Sequence, residues 1–307
     1  MTLCAYCGQN PAILNSHILP RWTIRDSLDK SVTGKLRPTD NINRRLQDAE
    51  KCELLCRDCE ERFSKLEGTA AKQFKAGAIT HGAAYDADFV RFLVSILWRI
   101  AVVRADEVQA GHARFTPALT EAIAAWKDYL EGKYSDLGAH PVWFTILNPD
   151  VARQVHAAMQ TPAAGGRGAA PIINRYFANW LGCEVVVYET HGFAIVWAKT
   201  GSWLIAGVVT VPDMRASPAV QLSPAGGVFP SIGHAMPPIL LATLGHQSWE
   251  CLKVADQMSP AQRQKINADF KKNAAKVSGS VQTQALREDI TMFGESAWVE
   301  LPEPEKA

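Results

Sequence analysis

Cys4-Ala5-Tyr6-Cys7-Gly8 and Leu54-Leu55-Cys56-Arg57-Asp58-Cys59 are two C-x2-C pairs with 48 residues between them. Zinc takes four soft ligands in a tetrahedron, and each C-x2-C turn presents two thiolates to one metal. Gly8 suits a knuckle, because a glycine there lets backbone amides turn towards the sulfurs. The second pair runs into a charged stretch, residues 60–65, that reads as the start of a helix. The competing reading is two independent pairs of buried or redox thiols; the helix directly after the second pair favours a shared site. The spacing therefore predicts one structural Zn²⁺ on Cys4, Cys7, Cys56 and Cys59. Cys52 has the wrong spacing for a knuckle and reads as a core thiol.

Moving outward, 307 residues with 47% hydrophobic side chains are enough to bury a sizeable core, and more than one domain is expected. Charges nearly cancel, 32 Lys+Arg against 31 Asp+Glu for a net of +1. That excludes a polybasic coat for nucleic acid and an acidic disordered tail. Seven cysteines are too sparse for a disulfide scaffold, and all but Cys183 and Cys251 lie before residue 60. Residues 89–103 are the most apolar stretch, but Arg91 and Arg99 interrupt it, so no membrane span is expected. No signal peptide is legible either, which predicts a cytoplasmic protein.

The expected fold class is α+β. A small zinc module of treble-clef layout is read over residues 1–76, where an Ala/Gly/Thr-rich run closes the cysteine-bearing part. Residues 77–307 form a larger body, helical over 86–160, a β-meander over 172–212, and helical again over 236–290. Phe89, Phe92, Leu93, Ile96, Leu97 and Ile100 repeat at helical steps, with Arg91, Arg99 and Ser95 on the more polar side. Thr116 is the expected N-cap of a second helix with Pro117 behind it. Residues 142–147 read as a strand, and residues 151–159 as a helix. Residues 161–171 have loop composition, and residues 302–307 read as a frayed tail. The meander is read from β-branched and aromatic runs at 172–180, 184–188, 193–199 and 203–211, separated by short glycine-bearing turns. Ser259-Pro260-Ala261-Gln262 is a capping-box start.

Asn15-Ser16-His17-Ile18-Leu19-Pro20 lies between the cysteine pairs. Taken together, CAYCG (4–8), NSHILP (15–20) and LLCRDCEERFSK (54–65) resemble the HNH endonuclease family, the ββα-metal nucleases with two zinc knuckles. The resemblance covers residues 1–67, about a fifth of the chain. It implies a phosphodiesterase in which a base deprotonates water and a divalent ion stabilises the charge that develops on phosphate. The family's base maps onto His17, and imidazole is the side chain suited to proton transfer near neutral pH. With four cysteines completing the zinc shell, a ligand role for His17 is disfavoured; a satisfied core histidine is the bland alternative.

The catalytic ion, Mg²⁺ or Mn²⁺, maps onto Ser16 and Glu60. Both depart from the family, which offers Asp or His at the first position and Asn or His at the second. The Asn usually found shortly before Leu-Leu-Cys is replaced by Lys51, and Asn41 or Asn43 could serve instead. Loss of catalysis, with the zinc fold kept for binding, is the other reading of these departures.

Residues 1–75 hold 13 Lys+Arg against 10 Asp+Glu, a net of +3. Arg21, Arg25, Lys35, Arg37, Arg44 and Arg45 lie between His17 and the second knuckle. Arg21, Arg44, Arg45 and Asn43 are the chosen phosphate contacts. Trp22 is expected to pack rather than stack on a base. The partner implied is DNA, with RNA as the second candidate, no membrane, and homodimerisation compatible with the sequence. Nucleases fused to such bodies often serve defence or mobile elements, an analogy at family level only. The alternative from another class is a catalytically inactive zinc-stabilised module that binds nucleic acid or protein. A third reading has the C-terminal body hold the nuclease silent until a ligand binds.

Overall fold

The first half of the chain runs β1 (Ser16–His17), α1 (Arg21–Lys30), β2 (Lys51–Cys52), α2 (Arg57–Lys75), β3 (Ala84–Asp86), α3 (Ala87–Val103), α4 (Ala105–Gly111), α5 (Thr116–Leu130), β4 (Val142–Ile146) and α6 (Pro149–Met159). It continues with α7 (Ile173–Asn179), β5 (Gly182–Tyr188), β6 (Phe193–Thr200), β7 (Trp203–Thr210), β8 (Gly226–Val228), α8 (Pro238–Asp256), α9 (Pro260–Lys272), α10 (Ala274–Val277) and α11 (Val281–Phe293). This computed structural model describes residues 2–46, 48, 50–161, 166–211, 219–277 and 279–297. The expected tail at 302–307 and part of the 161–171 loop lie outside the described residues. Helices mix with antiparallel sheet, which is α+β. Among the described residues, no helix is long and apolar enough to cross a membrane.

The chain forms two compact units from alternating segments. The first comprises Met1–Trp22, Ala49–Ile146 and Leu181–Ala235; the second comprises Thr23–Asp48, Leu147–Trp180 and Met236–Ala307. Residue 76, the expected limit of the zinc module, caps α2, and the first unit continues past it.

In the first unit a four-stranded antiparallel sheet has the order β4-β7-β6-β5. Helix α3 packs on β5, β6 and β7. Asp86 caps it, its carboxylate accepting from Phe89 N at 2.8 Å. All six apolar positions expected on its inner face are buried. Its expected polar side is not polar in surroundings: Ser95 and Arg99 are also buried, because α2 packs on that face. Ser95 Oγ donates to Phe92 O at 2.7 Å, and Arg99 pairs with Glu67 of α2 at 2.8 Å. Arg91 stays exposed, beside Asp88 at 3.1 Å. Trp22 packs as expected, its ring 5.1 Å from Phe74 and 5.9 Å from Trp203. Gly207 on β7 permits close approach: a Cβ there would lie 2.5 Å from Trp126 Cζ2 and 3.0 Å from Leu97 Cδ1.

Strands β5, β6 and β7 form the expected meander, but its first expected strand does not exist. Residues 173–179 are α7, for a reason visible in their spacing: Ile172, Ile173, Tyr176, Phe177 and Trp180 step by three and four. Helix α5 begins at Thr116 itself with Phe115 as its cap, one residue earlier than expected.

The second unit is helical. Helix α6 starts where Asn148 Oδ1 accepts from Val151 N at 3.0 Å, and it packs on α8. Ser259 caps α9 as its sequence predicts, accepting from Gln262 N. Helices α7 and α11 are joined by the buried Asp289, whose carboxylate accepts from Asn174 N at 2.8 Å and Arg175 Nε at 2.8 Å. Four donor contacts on one carboxylate satisfy a charge that burial alone would heavily disfavour.

Candidate metal centre and its surroundings

The four cysteines singled out by spacing come together. Their Sγ atoms all lie within 4.8 Å of one another, and Cys7 Sγ is 3.8 Å from Cys56 Sγ. A tetrahedron with zinc–sulfur bonds of about 2.3 Å has edges of about 3.8 Å, so the sulfurs already have the span of a zinc shell. The donor set, four thiols and no oxygen, suits a closed structural site. These four cysteines could hold one structural Zn²⁺.

Backbone hydrogen bonds explain why the sulfurs converge. Gly8 adopts φ 68°, a left-handed conformation that side chains resist, and its N–H donates to Cys4 O at 2.8 Å. Cys4 N donates to Asn10 O at 2.8 Å, closing the first knuckle. Ala5 N donates to Leu54 O at 2.9 Å and Ile13 N to Leu55 O at 2.8 Å, which ties that knuckle to the second. Cys56 caps α2, and Cys59 lies in its first turn. Hydrogen bonds from the amides of Asn10 and Gln9 pull the Cys7 thiol down to about 6, favouring the thiolate a metal needs. Burial pushes the Cys59 thiol up.

The knuckles are also anchored through Tyr6. Its buried ring stands edge-on to Phe63 of α2 at 5.0 Å and to Trp98 of α3 at 5.3 Å. Such aromatic pairs add about 1 kcal/mol each beyond area burial. Burial raises the Tyr6 hydroxyl to about 12, with the Arg62 charge opposing it.

Ser16 and His17 form β1, paired antiparallel with Cys52 and Lys51 of β2, and α2 follows directly. Ser16 is buried, and its Oγ accepts from Leu55 N at 3.1 Å. His17 is half-buried, and its backbone O accepts from Arg99 Nη1 at 3.0 Å. Glu60 lies in the first turn of α2, where the helix dipole favours an acid. Its Oε1 is closed to solvent without a hydrogen-bond partner. Cys52, the cross-strand partner of Ser16, is half-buried rather than deep in the core; burial raises its thiol, the Glu50 and Glu60 charges add to this, and Arg104 and Arg99 oppose it. Glu60 thus shares a neighbourhood with the β1–β2 pair.

Of the expected phosphate contacts, Arg21 is exposed at the start of α1 in the first unit. Asn43, Arg44 and Arg45 belong to the second. There Asn43 Oδ1 accepts from Ser259 N at 2.8 Å, Arg44 lies 3.7 Å from Asp40, and Arg45 pairs with Asp269 at 3.5 Å. From sequence Arg99 could pair with an acid or line a pocket; the structure pairs it with Glu67 and sets it against the His17 carbonyl. The available signal was a charge inside the most apolar helix, since such a charge is seldom buried without a partner.

Comparisons with protein-family models, with curated proteins and with solved structures returned no match for this chain.

Proposed function

We propose that the chain is a metal-dependent endonuclease of HNH type that hydrolyses DNA phosphodiester bonds. One observation carries the reading: an antiparallel strand pair bearing His17 leads into a helix whose first turn holds the unpartnered Glu60 Oε1, with four thiols gathered beside it. On this reading His17 takes the proton from the attacking water, and Arg21 grips a flanking phosphate. Glu60 would hold a divalent ion, Mg²⁺ or Mn²⁺, its hard carboxylate oxygen suiting such a cation. When bound, that ion stabilises charge on the phosphate and the leaving oxygen. Ser16 fits a ligand role poorly, because its hydroxyl is buried and engaged by the Leu55 amide. Its part is to fasten β1 to the residue before Cys56. The cysteine zinc would hold the two knuckles, and with them β1 and α2, in register.

The same Ser16 observation favours a second reading, a zinc-stabilised module that binds nucleic acid or protein without cutting it. A plasmid-nicking assay in Mg²⁺ and Mn²⁺ separates them. Wild type is expected to nick, and His17→Ala to lose roughly 10²- to 10⁴-fold in rate. Glu60→Gln should lose activity at low metal concentration and regain part of it as metal is raised. No cleavage by wild type in either metal overturns the enzyme; an unimpaired His17→Ala overturns the choice of base.

A further inference from the structure

We propose that the second unit binds a small carboxylate with an apolar body in a cavity bounded by α8, α9 and α11. The cavity measures about 540 Å³, within the range of small-molecule sites, and every residue lining it belongs to that unit. Its walls are mainly apolar: Leu252 from α8, Ile266 and Phe270 from α9, Leu286 from α11, and Trp180.

Two residues of this lining each carry an unsatisfied polar atom. Arg37 Nη2 and Gln282 Oε1 are each closed to solvent and have no hydrogen-bond partner. Leaving such groups unmade is unfavourable, and a ligand supplying the partner would recover that cost. The other cations of the lining are already engaged. Arg175 binds Asp289, Pro171 O and Ala297 O, and Arg263 binds Met258 O and Asp256 O. Among the described residues, Arg37 donates only to the carbonyl of Ile42, at 3.3 Å, through Nη1. Burial lowers its affinity for its proton, the Arg45 charge adds to this, and Asp269 opposes it. An anion there would therefore meet a guanidinium short of countercharge. Asp256 is the one acid in the lining and it is exposed. One guanidinium whose Nη2 bears two unmade N–H groups suits a monoanionic carboxylate, and Gln282 Oε1 offers an acceptor to a hydroxyl or amide on the same ligand. The apolar walls exclude a small fully polar anion as the preferred occupant.

The test is calorimetric titration of the full chain with decanoate, with 1-decanol as the uncharged counterpart of equal length. Wild type is expected to bind decanoate at one saturable site and decanol at least about tenfold more weakly, the factor one charge-assisted hydrogen bond supplies. Arg37→Met should lose that preference while still binding decanol. Ala255→Trp, which fills the cavity from α8, should abolish binding of both. Circular dichroism and thermal melts confirm that each variant folds. Absence of saturable decanoate binding below millimolar concentration overturns the site, as does binding that survives Ala255→Trp. Equal wild-type affinity for decanoate and decanol overturns the role of Arg37, and that comparison needs no variant.

Discussion

Replacing Arg99 by Met asks what holds the His17 strand against the helical core. Arg99 is 1% exposed; its Nη1 lies 2.8 Å from Glu67 Oε1 and 3.0 Å from His17 O, and its Nε 3.1 Å from Ser95 O. Methionine keeps most of the volume and the contact with Phe63, so little of the effect is a cavity. The loss is one ion pair and two hydrogen bonds from a charged donor. Each such bond is worth about 1.5–3 kcal/mol, yet relief from burying a guanidinium whose Nη2 has no partner offsets part of that. Glu67 is 19% exposed in its side chain and can recover some hydration when left alone. The balance is a destabilisation of about 3 kcal/mol for Arg99→Met and about 1 kcal/mol for Glu67→Gln. Urea denaturation followed by tryptophan fluorescence, on wild type, both single variants and the double variant, measures this. The double variant should fall short of additivity by about 1–2 kcal/mol. Additivity within about 0.5 kcal/mol, or an Arg99→Met variant as stable as wild type, would refute the claim that this pair is the strut.

Three further expectations concern the metal, the sheet and pH. Chain purified without chelator should carry one zinc by elemental analysis, and Cys59→Ser should lower occupancy and expose Trp98 to quencher; a zinc-free wild type with an unchanged melt counts against the site. Gly207→Ala should cost about 1–3 kcal/mol, since its methyl meets Trp126 and Leu97 head-on, and Trp126→Phe in the same chain should recover part of it. The half-buried Glu184 carboxyl sits above its ordinary range because its surroundings desolvate it, despite the bond it accepts from Trp197 Nε1 at 3.0 Å. The folded state therefore binds this proton more tightly than the unfolded, so its charged form penalises folding at neutral pH and the penalty fades as pH falls. Glu184→Gln should raise the melting temperature at pH 7 and lose that advantage near pH 4; an advantage constant with pH contradicts it.

What could be read in advance was local. The cysteine quartet depends on a two-residue spacing, a glycine and the ligand chemistry of zinc, and the two pairs meet across 48 intervening residues. Strands β5 to β7 were legible because their connections are tight, with Gly192 at φ 62° and Gly201 at φ 55°. Residues 172–180 were misread by composition, β-branched and aromatic, against a spacing that was already helical. Arg99 was misread because which face of α3 meets solvent depends on α2, and Glu67 lies 32 residues earlier in the chain. The interleaving of the two units, in which residues 23–48 leave the first and return, has no local signature at all.

The same distinction bears on Ser16, where the chain departs most from the nuclease pattern. Read as a lost metal ligand, the serine argues for a dead enzyme. Its surroundings supply another reason: the side chain is fully buried and its Oγ accepts from the Leu55 amide, one residue before Cys56. A carboxylate there would place a charge where no water reaches, at a cost of several kcal/mol unless a cation sat on it. The hydroxyl does the structural work without that cost. On the proposed nuclease reading, the departure would remove a ligand and leave the β1–β2 pair bearing His17 in place, and the orphaned Oε1 of Glu60 would be the oxygen that replaces it. If that replacement is real, Glu60→Gln and His17→Ala should fail in different ways. Glu60→Gln should show a steep dependence on metal concentration, and His17→Ala a loss that no metal restores. Identical metal dependence in the two variants would mean that Glu60 holds no ion.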